Sequence, residues 1–264
     1  MSKVKPIIPY FGGKSYKLKT LLPLFPEHYE AYFEPFFGGG SVGLNVPTDK
    51  ARHFNDINPH LMNMYLQLKN NTEEVIRLTD IMFRDRSKQN YEALRTNTFE
   101  DKVLEAARYL FLVKSSYGGE TSHNMHFGHF NNNATAERKR WCKTKRDSIR
   151  ETSQVLKGAR LTCGTYELLD VKQGDFVFAD PPYVKAAMDY IKPWREADHF
   201  KLFDWWEEQT SKGVLAMLTY DNHPLIHKLY QHWNITVSKY RRSVATRDIK
   251  LTTTTSELII RNYE

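Results

Sequence analysis

The stretch of this 264-residue chain whose residue types are suited to chemistry on a flat, amino-bearing ring is Asp180-Pro181-Pro182-Tyr183. The run Asp175 to Ala179 just before it is short and strongly apolar, which predicts a buried strand. Neither proline can donate to a sheet ladder, so the strand stops there. Asp180 then stands at a carboxyl end of a strand, where open α/β sheets bind ligands. A carboxylate, the carbonyls of a rigid proline turn and the ring of Tyr183 together make a clamp for a planar base carrying an amino group. A strand that merely ends in a proline turn reads the same way, so other parts of the chain must decide.

Two glycine loops nearer the amino terminus suit a nucleotide-type ligand. In residues 7–14, Gly12-Gly13 permit a tight turn, Tyr10 and Phe11 can flank a ligand, and Lys14 can hold a carboxylate. A predicted strand, Ala31 to Glu34, runs into Pro35-Phe36-Phe37-Gly38-Gly39-Gly40-Ser41 and a short helical stretch, Val42 to Asn45. Strand, glycine loop and helix form a cradle that lets a ligand approach the backbone closely. Glu34, at the strand end, can meet a cation. The pattern is neither Gly-x-Gly-x-x-Gly nor a P-loop, which disfavours a dinucleotide fold or a P-loop ATPase. Asp56 closes a second predicted strand, Arg52 to Asn55, and its distance behind the glycine loop suits two ribose hydroxyls. The plainer alternative is that Asp56 caps the helix opening at Asn58-Pro59.

The charge balance suits a polyanionic partner, although solvated lysines give the same moderate excess. Lys plus Arg number 38 against 31 Asp plus Glu, a net charge of +7. Basic residues gather at Arg138, Lys139 and Arg140, with Trp141 beside them and Arg146 close behind. Such a run suits a phosphate backbone, although a solvated helix face carries similar charge. A long polar stretch rich in Gly, Asn and His, residues 115–133, precedes it and reads as a functional or disordered loop. Arg241 and Arg242, followed by a threonine-rich turn, read as a mobile basic loop at the ligand edge. His123, His126 and His129 have metal-like spacing, but no cysteine or acidic pair accompanies them, so no metal site is expected. Cys142 and Cys163 lie in no Cys-x-x-Cys pair, against a disulfide scaffold or a zinc site. The first eight residues, broken by Pro6, do not resemble a signal peptide, and no apolar run approaches the ~20 residues of a membrane span. A cytoplasmic protein, monomeric in solution, is the expectation.

The elements that must position these groups follow from periodicity. Helices are expected over Lys14–Leu22, Asn58–Lys69, Thr72–Phe83, Ser87–Arg95, Glu100–Lys114, His199–Lys212 and Pro224–Trp233. Gly213–Thr219 reads as a buried strand, and Ile235–Tyr240 with Glu257–Arg261 as a closing antiparallel pair. Strands alternate with helices at both ends of the chain, and the middle is mainly helical. The expected organisation is an α/β catalytic domain in two parts, residues 1–58 and 151–264, with an inserted recognition region at 59–150.

Tyr10-Phe-Gly-Gly-Lys14, Glu34-Pro-Phe-Phe-Gly-Gly-Gly-Ser41, Asn55-Asp-Ile-Asn58, Asp180-Pro-Pro-Tyr183 and Arg241-Arg-Ser243 occur in an order that resembles the Dam-like, D12 class of DNA adenine methyltransferases. The resemblance implies a Rossmann-like methyltransferase sheet, S-adenosylmethionine as methyl donor with S-adenosylhomocysteine as product, and a target-recognition insert. It puts Tyr10, Lys14, Asp56 and Asp180 on donor-binding positions and Phe36 to Ser41 on the donor loop. One departure stands out: the family's aromatic-Asn-Gly turn is replaced by Tyr117-Gly118-Gly119. Tyr117 stays a candidate for contacting DNA, but the recognition contacts and the target sequence do not carry over.

The expected reaction is methylation of N6 of an adenine flipped out of a specific double-stranded sequence. That nitrogen is a poor nucleophile because its lone pair is delocalised into the ring. Acceptors at Asp180 and the Pro181 carbonyl would favour a pyramidal nitrogen, with Tyr183 stacking on the base. Other readings remain at this stage. One is an N4-cytosine enzyme, whose class more often carries Ser where this chain has Asp180. RNA or protein amide methylation is another, and a DNA-binding module that has lost catalysis is a third.

Overall fold

The structure, a computed structural model, describes residues 3–10, 12–47, 49–116, 123–124, 129–130, 141–185, 194–245 and 250–264. For 123–124, 129–130, 240–245 and 250–254 it describes the backbone alone. A helical turn, α1 (Leu18–Leu21), continues as a 3-10 turn at Leu22–Leu24 and leads to β1 (Ala31–Glu34). After a 3-10 turn at Gly43–Asn45 comes β2 (Ala51–Asp56). Four helices follow: α2 (Pro59–Asn70), α3 (Thr72–Met82), α4 (Lys88–Thr96) and α5 (Lys102–Ser115). A two-residue antiparallel pair, β3 (His123–Asn124) and β4 (His129–Phe130), precedes α6 (Lys143–Lys157) and β5 (Ala159–Cys163). Then come β6 (Phe176–Ala179), α7 (Glu196–Ser211), β7 (Leu215–Asp221), α8 (Pro224–Leu229), β8 (Asn234–Ala245) and β9 (Lys250–Arg261).

Seven strands form one sheet in the order β5-β2-β1-β6-β7-β9-β8. Strand β2 is parallel to β5, and β6 is parallel to both β1 and β7. Strand β9 runs antiparallel to both its neighbours, β7 and β8. This is the mixed, Rossmann-like α/β sheet that the sequence predicts. No described helix is long and apolar enough to cross a membrane. The chain divides into two compact units, Met1–Phe25 with Glu34–Leu169, and Pro26–Phe33 with Asp170–Glu264.

In the first unit, helix starts are fixed by side-chain caps. Asn58 accepts from the amides of His60 and Leu61, with Pro59 at the first turn, and Asp101 accepts from Val103 and Leu104. Helix α5 is the hub of the helical layer: residues Glu105 to Val113 are all buried, against α2, α3 and α4. Its buried pair, Arg108 and Glu105, is bidentate at 2.7 and 2.6 Å, and Arg108 also donates to the Leu94 carbonyl. In the second unit, every residue of β6 is buried, and Trp206 of α7 is wholly enclosed.

Three expectations need correction. The basic stretch at Arg241 is not a loop: β8 continues to Ala245 and β9 begins at Lys250, paired throughout, Arg241 with Thr254 and Arg242 with Thr253. Threonine is β-branched and favours a pleated strand, so a threonine run is poor evidence for a turn. The helix offered as the alternative for the basic segment is present as α6, and it is not merely a solvated face: its buried Ile149, Thr152, Ser153 and Leu156 stand at helical spacing. Strand β5, which was not foreseen, is half-exposed and carries a mixed Ala-Arg-Leu-Thr-Cys pattern with little apolar signal. In addition, the helix expected after the glycine loop is a single 3-10 turn, and the one expected from Lys14 begins only at Leu18.

Candidate active site

In the first unit, the glycine loop is shaped by its own backbone and by the strand behind it. Gly38 and Gly40 have φ of 49° and 68°, the left-handed region that disfavours a side chain. A Cβ on Gly38 would also lie 2.9 Å from the ring of Tyr10, so the amino-terminal loop closes directly on the glycines. The Gly38 amide donates to Asp56 Oδ2 at 2.8 Å, and Tyr65 donates its hydroxyl to the Gly38 carbonyl at 3.2 Å. Phe37 stacks on Phe54 with ring centroids 4.4 Å apart. Ser41 Oγ meets Ser15 Oγ at 3.1 Å, and buried Lys14 donates to the Gly12 carbonyl at 2.8 Å. Phe36 lies half-buried against Tyr166. Glu34 is buried at the end of β1, and a Cβ on Gly43 would come within 2.3 Å of its Oε2, so a bare glycine is what makes room for that carboxylate.

Asn55 ties this cluster together. Its Nδ2 donates to the carbonyls of Pro35 and Gly164, its Oδ1 accepts from Thr162, and its backbone carbonyl accepts from Phe37. One buried amide thus fastens the loops that leave β1 and β5 to the end of β2. Asp56, next in sequence, is not the helix cap, since Asn58 fills that place. Its Oδ1 instead accepts from the Asn58 amide at 3.0 Å. These amides, with that of Ile57, still leave acceptor capacity on a carboxylate, which has about four lone-pair sites. Burial pushes the Asp56 carboxyl up to about 6, against the opposing pull of the Asn58, Gly38 and Ile57 amides.

In the second unit, Asp180 follows directly on β6, as the apolar run and prolines predict. Thr219 of β7 donates to Asp180 Oδ1 at 2.7 Å. Pro181 is buried, while Asp180, Pro182 and Tyr183 are partly exposed. Asp221, closing β7, accepts from the amides of Val184 and Lys185 at 3.1 and 3.2 Å. The ring of Tyr183 lies 6.1 Å from that of Tyr220, which in turn packs on His199. His199 Nδ1 accepts from Trp194 Nε1 at 3.1 Å, so the ring proton belongs on Nε2. Burial holds the His199 pKa below its usual value, outweighing the pull of Asp221.

Phe11, Tyr117, Arg138, Lys139 and Arg140 lie outside the described residues. Arg241 and Arg242 are placed on β8 by their backbone alone. Arg146 is on α6, where its Nε reaches Asp80 at 2.9 and 3.2 Å. Trp141 donates to the same carboxylate and stacks on Phe83 at 5.0 Å, so this aromatic packs within the helical layer. The sequence reading passed over Asn55, Tyr65, Thr219 and Asp221 as functional side chains. Thr219 and Asp221 carry the same signal that flagged Asp180, a polar residue closing an apolar strand; Tyr65 has none, because its contact with Gly38 is made across the fold.

The sheet is Rossmann-like, with a glycine loop tied to an acidic strand end and an Asp-Pro-Pro-Tyr turn after a further strand. The chain belongs to the D12 class N6 adenine-specific DNA methyltransferase family, which it matches over residues 10–244. The type II methyltransferase M1.LlaDCHI of Lactococcus lactis subsp. cremoris is 29% identical over 282 aligned positions, covering 98% of this chain and 96% of that protein. M.MjaIII of Methanocaldococcus jannaschii is 26% identical, over 99% of this chain and 100% of its own length. The retron Ec67 DNA adenine methylase of Escherichia coli is 26% identical, with coverages of 90% and 85%. This chain is accordingly an enzyme that transfers a methyl group from S-adenosylmethionine to N6 of adenine in DNA.

Proposed function

We propose that the two clusters divide the work of that reaction, the first holding the methyl donor and the second holding the adenine. S-adenosylmethionine, when bound, supplies an electrophilic methyl group. The first cluster fits such a group: the left-handed glycines turn the loop tightly under the Tyr10 ring, and Asp56 keeps acceptor capacity for ribose hydroxyls. Tyr10, Phe11 and Phe36 flank the donor, Lys14 takes its carboxylate, Glu34 faces its positive charge, and Gly38, Gly39, Gly40 and Ser41 line its approach. In the second cluster, Asp180 and the Pro181 carbonyl accept the two N6 hydrogens. The nitrogen is drawn toward a pyramidal shape, its lone pair is freed from the ring, and the proton released on methylation has an acceptor nearby. Pro182 keeps the turn rigid and Tyr183 stacks on a base taken out of the duplex.

The observation that carries this reading is the placement of Asp180 at the end of a fully buried strand, with its carboxylate engaged by Thr219. The partner is duplex DNA with a specific target, contacted through Tyr117, Arg138, Lys139, Arg140, Arg146, Arg241 and Arg242. A cytoplasmic monomer needing no metal is part of the same reading. The relatives named type II methyltransferases favour a restriction–modification setting. Expression in a methylation-deficient host, followed by mass analysis of the digested DNA, should show N6-methyladenine. Finding N4-methylcytosine instead would reassign the target base, and sequencing the modified DNA would give the recognition site.

A further inference from the structure

We propose that Thr219 is a positioning residue for catalysis, its hydroxyl setting the orientation of the Asp180 carboxylate. The inference rests on the reading of Asp180 as the acceptor for the adenine amino group. In the parallel pairing of β6 with β7, Ala179 stands opposite Leu218, so the register carries Asp180 and Thr219 past the last paired residues side by side. Thr219 has 0% exposure, and its buried hydroxyl makes its hydrogen bond to Asp180 Oδ1 at 2.7 Å. A bond of this length to a carboxylate is charge-assisted and strong. The terminal torsion of an aspartate has broad wells, so without a fixed donor the two oxygens swing through a wide arc. Thr219 restricts that freedom by holding Oδ1.

The two residues after Thr219 extend the same function along the turn. Tyr220 places its ring by Tyr183, and Asp221 holds the amides of Val184 and Lys185. Three consecutive residues of β7 therefore secure the start, the ring and the exit of the Asp-Pro-Pro-Tyr segment. Two prolines limit what the segment can do with its own amides, so its anchors must come from a neighbouring strand. Misplacing a reacting group by about 1 Å can cost ~100-fold in rate, which makes such anchoring worthwhile far from any contact with substrate.

The test is steady-state kinetics of Thr219→Val, Thr219→Ser and Asp180→Ala at saturating donor and DNA, with thermal melting of each variant. Thr219→Val should lower kcat by ~10-fold or more, the scale of a lost charge-assisted hydrogen bond, with the KM for S-adenosylmethionine and the Kd for DNA within about twofold of the parent. Thr219→Ser keeps a hydroxyl at that atom and should restore most of the rate. If Thr219→Val does not fold, Thr219→Ala gives the same comparison against Thr219→Ser. A Thr219→Val enzyme with near-parent kcat beside an inactive Asp180→Ala would overturn the positioning role and leave Asp180 in place. A Thr219→Ser enzyme as impaired as Thr219→Val would also overturn it, since packing and not the hydroxyl would then matter. An active Asp180→Ala enzyme would remove the reading beneath both.

Discussion

Asp56 and Asp180 are both strand-end carboxylates, and their surroundings give them different work. Asp56 is buried and holds backbone amides of its own loops, so in its proposed role it would meet the donor from a site already built. An interaction with donor ribose is present before and during the reaction alike. Asp56→Ala should therefore chiefly raise the KM for S-adenosylmethionine, while Asp180→Ala should collapse kcat by ~100-fold or more, as for loss of a preorganised electrostatic group. Asp180→Ala enzyme should still bind DNA within a small factor, because phosphate contacts dominate that affinity. The two profiles are separable by saturating each substrate in turn. The raised pKa of Asp56, about 6, adds a pH signature. In the proposed role ribose hydroxyls donate to the ionised form, so donor affinity should fall about tenfold per unit below that pH. In Asp56→Asn this dependence should vanish from calorimetric titrations. The sign for stability is opposite: folding raises this pKa from 3.8, so the folded state holds the proton more tightly. That contribution is complete below the unfolded value and is lost as pH rises through about 6.

Helix α5 is buried almost on all sides, and this sets the cost of its charges. Burial by itself would push Glu105 up, but hydrogen bonds from His60 and Arg108, the Arg108 charge and the Phe99 amide hold it at about 2. Arg108 is 1% exposed, so removing either partner strands a charge in the interior. Arg108→Met should destabilise the fold by ~3–5 kcal/mol, read from the denaturant midpoint. Combining it with Glu105→Leu should recover much of the loss, because the unpaired charge disappears with its partner. The depressed Glu105 pKa gives stability that is present above the unfolded value of 4.5 and lost as pH falls toward about 2. At the same scale, two acids of α3 tie down the α6 segment: Asp80 accepts from Trp141 and Arg146, and Glu73 from Arg150. Arg146 thus brings paired charge to any DNA contact, unlike a solvated side chain.

For the whole molecule, a net charge of +7 is the property a polyanionic partner meets first. If Arg138, Lys139 and Arg140 contact phosphates, neutralising two of them should weaken binding to all sequences alike. The slope of log affinity against log salt should shrink by about one unit per lost contact. Fluorescence titrations across a salt series measure it, and an unchanged slope would return the run to a solvated surface. The same series on Arg146→Gln asks how much charge an arginine already bound to Asp80 still contributes.

By itself the sequence determined the α/β class, the glycine loop and the ends of the strands that carry Asp56 and Asp180. These rest on short-range physics: an apolar run stops at a proline, a glycine turns where other residues strain, and a proline suits the first turn of a helix. The family motifs were legible for the same reason, each being a contiguous stretch. Only the tertiary structure decided what depends on register and on contacts far apart in the chain. Asp56 gave up the capping role to Asn58 because its own oxygens face the Gly38 and Asn58 amides. Trp141 became a packing residue once α3 supplied Phe83 and Asp80. The threonine run became half of a ribbon through pairing with Arg241 and Arg242, which no local propensity specifies. Thr219 and Asp180 stand 39 residues apart and meet because the parallel register of β6 on β7 brings them side by side, and sheet register is set by the packing of the whole core.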